Sequence, residues 1–97
     1  MKLEFSPLDA VDWIKQSDFE KENPLNCIVD EVVKLDNEYL LVFKTYQGLR
    51  KVSLWRKTKI EFCLKHSTET ENWKGKTFRI GLALNPKTSK FEKTFYI

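Results

Sequence analysis

Lys44, Tyr46, Arg50, Lys51, Trp55 and Arg79 interleave cations with aromatic rings along a stretch rich in short strand patterns. Cations of that kind neutralise phosphates and release counterions, and flat rings accept unpaired bases. The same residues would also make a solvated basic surface over an aromatic core. Nucleophilic chemistry finds less to work with. His66 stands three residues after Cys63, but no carboxylate or Ser is placed to complete a triad. Cys27 and Cys63 lie far apart, without the partners that a zinc site needs. Gly75-Lys76-Thr77 lacks the earlier Gly of a phosphate-binding loop. Paired acids such as Asp30-Glu31 and Glu69/Glu71 do not repeat at metal-ligand spacing. These features predict a non-enzyme with no metal and no cofactor.

Charge is divided unequally around the candidate residues. Residues 1–38 hold four Lys and ten Asp/Glu, a net of −6. Residues 39–97 hold thirteen Lys/Arg and four Glu, a net of +9, and ten of the thirteen aromatic residues. The overall +3 therefore hides a strongly basic C-terminal part. Ninety-seven residues suit one domain with a core of its own. There is no apolar run of membrane-spanning length and no signal-peptide pattern. With two thiols in apolar settings, this predicts a soluble cytoplasmic protein with reduced, buried cysteines.

The elements that must position these residues follow from their periodicity. Ser6-Pro7-Leu8-Asp9 offers an N-cap, a Pro at the first helical position and an acid in the first turn. The spacing predicts an acidic helix ending near Phe19, with Leu8, Val11, Trp13 and Ile14 as its apolar stripe. Pro24 closes a polar link. Strands are predicted over Cys27 to Lys34, Glu38 to Tyr46 and Leu49 to Trp55, with a bulge at Asp30-Glu31 and a tight turn at Gln47-Gly48. Arg56 to His66 reads as a short helix with Ile60, Cys63 and Leu64 inward. Trp73 to Leu84 and Phe91 to Ile97 read as a final hairpin around Asn85-Pro86-Lys87.

Meander, helix and hairpin is the order of a five-stranded OB-like barrel. The run Thr70-Glu71-Asn72-Trp73-Lys74-Gly75-Lys76 resembles a loop-to-strand signature of small phage and archaeal OB-fold proteins related to single-stranded-DNA-binding domains. In them a polar, acidic loop leads into Trp-x-Gly-Lys at the fourth strand. The resemblance covers about residues 26–97 and implies a single-stranded-DNA-binding-like domain. Residues 1–23, the acidic helix and link, lie outside it.

Parity then sorts the candidates. Val52, Leu54, Phe78, Ile80 and Leu82 should be core, which turns Lys51 and Trp55 outward on the third strand. Arg79 should face out beside Gly81, where a missing Cβ would let a ligand backbone approach. Parity on the second strand stays open. Tyr39, Leu41, Phe43 and Thr45 form one face, and Leu40, Val42, Lys44 and Tyr46 the other. The second set, with its Lys, is preferred as the outer face, and Arg50 would reach phosphate near Tyr46. The expected function is binding of single-stranded nucleic acid, DNA before RNA. The rival is a protein-interaction module or self-association through residues 6–19. No membrane partner is expected.

Overall fold

The computed structural model describes residues 7–97. Among the described residues six strands form one sheet: β1 (Asp12–Trp13), β2 (Leu25–Lys34), β3 (Tyr39–Thr45), β4 (Gly48–Ser53), β5 (Thr77–Asn85) and β6 (Lys90–Tyr96). Their spatial order is β1-β4-β3-β2-β5-β6. All neighbours are antiparallel except β1, which runs parallel to β4. An α-helix, α1 (Arg56–Lys65), and then a 3-10 turn, Thr70–Trp73, join β4 to β5. The sheet curls into a half-barrel. Its two ends face one another across a cavity of about 710 Å³, with Trp13 and Ile14 on one side and Glu92, Lys93 and Phe95 on the other.

Alternation along the strands builds the core. Leu25, Cys27 and Val29 of β2, Leu41 and Phe43 of β3, Val52 of β4, and Phe78 and Ile80 of β5 share the concave side. Phe62 of α1 sits at the centre of a ring cluster. It stacks on Trp73 at 4.8 Å and 18°, and meets Phe78 edge-on at 5.3 Å. Phe78 in turn meets Phe43 edge-on at 5.5 Å. Such aromatic pairs contribute about 0.5–1.5 kcal/mol beyond the area they bury. Trp73 also donates its indole N–H to Ser67 O at 2.7 Å, which ties the loop before β5 to the core.

Two turn features follow from local chemistry. The β2–β3 register shifts between Val29 and Glu31, so Asp30 is the extra residue of a bulge. Gly48 opens β4 at φ 110°, a left-handed conformation that only glycine adopts without strain.

The N-terminal helix is the main departure from expectation. Residues 7–19 form two 3-10 turns, Pro7–Ala10 and Gln16–Phe19, with β1 between them. Ser6, the expected cap, lies outside the described residues. Val11, Trp13, Ile14 and three Asp are poor helix formers, and the exposed edge of β4 offers the backbone an alternative. Ile14 N–H donates to Lys51 O at 3.0 Å along that edge.

The apolar face of α1 is also corrected. Thr58 and Phe62 are buried at i,i+4 spacing, whereas Ile60 and Leu64 are exposed. A shift of two residues is about 200° around a helix, which carries one pair to the opposite side. On β3 the parity question dissolves. Leu41 and Phe43 face the concave core, yet Leu40 and Val42 on the other face are buried too.

Candidate nucleic-acid interface

Strand register brings three of the six expected residues to one cleft. Lys44 of β3, Ile28 of β2 and Thr77 of β5 are direct cross-strand partners, so they form one row on the outer face. Two residues along, Asn26, Arg79 and Tyr96 form the next row. These rows lie in a cleft of about 640 Å³ that Tyr46 and Lys65 also line. Three cations and two phenol rings therefore share one concavity.

Lys44 is 62% exposed and lies 3.9 Å from Asp30, an ion pair too long and too wet to hold it. Tyr46 is partly committed: its hydroxyl donates to Asp18 O at 3.3 Å and accepts from Gln47 Nε2 at 3.1 Å. Arg79 is exposed, with its guanidinium carbon 5.9 Å from the centre of the Tyr96 ring. The space over Gly81 differs from expectation. It is filled by Tyr96, whose Cε2 would stand 3.0 Å from an added Cβ. The glycine accommodates a neighbouring ring, not an incoming ligand backbone.

Arg50 and Lys51 belong elsewhere. Both are 8% exposed. Arg50 Nε donates to the Asp18 carboxylate, and its other nitrogens donate to Leu49 O and Gln47 Oε1. Asp18 also accepts from Lys15 N–H at 3.0 Å. Lys51 has the outward parity expected of it, but the N-terminal segment lies over it. Its Nζ donates to Leu8 O at 3.2 Å and sits 4.9 Å from the centre of the Trp13 ring. These two cations hold the acidic segment against the sheet.

Trp55 is 74% exposed, outward as its parity requires. It lies far from the cleft. Lys44 pairs with Leu49 beside the β3–β4 turn, whereas Trp55 follows Ser53, which pairs with Leu40 at the other end of both strands. Around Trp55 the charge is mixed. Lys34, Arg56 and Lys59 share a groove with Asp36 and Glu38. Lys59 and Lys34 approach the Tyr39 ring at 5.3 and 6.0 Å.

Tyr96 and Lys65 were not among the expected site residues. Outward parity for Tyr96 is legible in the alternation of Glu92, Thr94 and Tyr96. Its pairing with Arg79 depends on the length of the 86–89 turn, which parity does not give.

Cys27 is buried, and burial foremost pushes its thiol up to about 12, with Glu22 adding to the rise. Cys63 is half-buried, less enclosed than expected. His66 Nε2 is buried without a hydrogen-bond partner. Burial, then Lys65 and Lys76, lower the His66 pKa. Among the described residues no group of three or more His, Cys, Asp or Glu could hold a metal ion. Among them, too, no helix is long and apolar enough to cross a membrane. Comparison with protein-family models, curated proteins and solved structures finds no match for this chain.

Proposed function

We propose that this chain is a small OB-like barrel that binds single-stranded nucleic acid, DNA in preference to RNA, without catalysing a reaction. The observation that carries this reading is the cleft that Lys44, Lys65 and Arg79 line together with Tyr46 and Tyr96, against the single acid Glu22. Cations spaced around exposed rings suit a flexible chain whose phosphates and bases are both accessible. A duplex hides its bases and would use only the cations. The succession of β2, β3, β4, α1, β5 and β6 supports the OB-like reading. The short β1 covers the free edge of β4.

Docking of a partner on an acidic N-terminal helix has less support. Residues 7–19 are not one helix, and the Asp18 charge is already matched by Arg50.

The test is titration of a fluorescent single strand followed by anisotropy, with salt raised from about 50 to 200 mM. Three phosphate contacts predict a log–log slope near −2, from about 0.7 per contact on a single strand. An equal-length duplex should bind more weakly. No binding of any single strand at the lowest salt would remove this reading.

A further inference from the structure

We infer that Tyr96 is the platform on which an unpaired base stacks, with the edge of its ring seated against Gly81. The inference rests on the single-strand reading above and names the residue that would recognise the base.

Tyr96 is the direct partner of Arg79 across the β5–β6 hairpin, and Thr94 is the partner of Gly81. The Tyr96 ring therefore reaches diagonally to cover Gly81. Its Cε2, Cζ and hydroxyl oxygen lie 3.0, 3.7 and 3.5 Å from where a Cβ would stand. A Cβ there would press the ring edge back by a few tenths of an ångström, so the edge of the ring lies close against β5. Even so, Tyr96 keeps 49% of its surface exposed, within the cleft. The exposed Arg79 guanidinium lies over the ring, 5.9 Å from its centre. A guanidinium can stack on a base or fork onto its phosphate.

The other aromatic candidates are less suited. Tyr46 has its hydroxyl tied to Asp18 O and to Gln47. Trp55 is more exposed, but among the described residues no ring or cation stacks on it, and no described cleft joins it to Lys44 or Arg79. A ring already fixed in place loses less conformational freedom on binding than a free one. Tyr96 is held along one edge by Gly81, keeps half its surface exposed, and has the Arg79 guanidinium over its ring.

The experiment compares the intact protein with Tyr96→Ala, Tyr96→Phe, Gly81→Val and Trp55→Ala. Each is titrated against a fluorescent single strand at several salt concentrations, and its fold is checked by circular dichroism and thermal melting. Tyr96→Ala should weaken single-strand binding by about five- to a hundredfold, the range a stacked base supplies. Tyr96→Phe keeps the ring and should bind like the wild type. Gly81→Val touches no ligand, but its branched side chain takes the place of the ring edge, so it should weaken binding severalfold with an unchanged salt slope. Trp55→Ala should bind within twofold of wild type. If Tyr96→Ala does not fold, Gly81→Val carries the test alone. Wild-type affinity in a folded Tyr96→Ala or Gly81→Val would overturn the platform while leaving the single-strand reading intact. Failure of the wild type to bind would overturn both.

Discussion

Arg50 Nε donates to both carboxylate oxygens of Asp18, at 3.2 and 3.0 Å, across 32 residues of chain. Asp18 is 1% exposed, so this ion pair is enclosed where the 3-10 turn Gln16–Phe19 meets β4. Removing one partner leaves a buried charge unmatched. Asp18→Ala should therefore destabilise the fold by about 3–5 kcal/mol. Asp18→Leu with Arg50→Met removes both charges and should cost much less. Urea unfolding of the three proteins checks this, and equal losses in the single and double variants would contradict it.

The two faces of α1 should respond very differently to truncation. Phe62→Ala opens a cavity beside Trp73 and Phe78 and should cost about 3–5 kcal/mol. Leu64 is 84% exposed, and Leu64→Ala should stay within about 0.5 kcal/mol of wild type. The same unfolding curves give both numbers.

Cys27 should resist thiol reagents in the folded protein and react only on unfolding, because burial disfavours its thiolate. Linkage gives a stability consequence. The folded thiol keeps its proton up to about 12, whereas the unfolded one releases it near 9.0. Above 9.0 the unfolded state binds fewer protons, so stability should fall as pH rises through that window. Cys27→Ala should flatten this part of the profile. Fast labelling of Cys27 at neutral pH under native conditions would contradict the assignment.

His66 gives the opposite slope on the acid side. Its folded pKa lies below the ordinary 6.5, through burial first and Lys65 and Lys76 after it. The unfolded state therefore takes up a proton first as pH falls, and stability should decline below 6.5. Proton NMR of the imidazole should report a midpoint below that value, and Lys76→Ala should move the midpoint upward.

On the proposed nucleic-acid function, the cations divide into two groups. Lys44→Ala and Arg79→Ala should each lower the salt slope by about 0.7, one phosphate contact on a single strand. Lys51→Ala should loosen the N-terminal segment and leave the slope unchanged, because its Nζ serves Leu8 O. A slope change with Lys51→Ala equal to that of Lys44→Ala would show that Lys51 reaches phosphate.

Much of the sheet was legible because β-strand burial has a period of two. Val52, Phe78 and Ile80 alternate with outward residues, and the Asp30 bulge stands where the alternation breaks. The N-terminal helix was misread because capping signals act locally, whereas capture of residues 12–14 by the β4 edge is a tertiary event. Ile60 and Leu64 misled for a related reason. Helical spacing identifies a stripe, but the ring cluster of Phe78 and Trp73 selected Phe62 instead. Charge counting found the cations without distinguishing those held by the chain itself. Asp18 could only be recognised as the partner of Arg50 once the 3-10 turn was placed.

Burial of β3 on both faces sets the order in which this molecule can come apart. β3 has hydrogen-bonded strands on either side, and Leu40, Leu41, Val42 and Phe43 are all shielded from water. Its amides should exchange with deuterium only when the whole domain opens. Those of β6, at the sheet margin with mostly exposed residues, should exchange through fraying. Partial unfolding would then start at the β5–β6 hairpin, the element that carries Arg79 and Tyr96, while the β2–β3–β4 meander persists as the last cooperative unit.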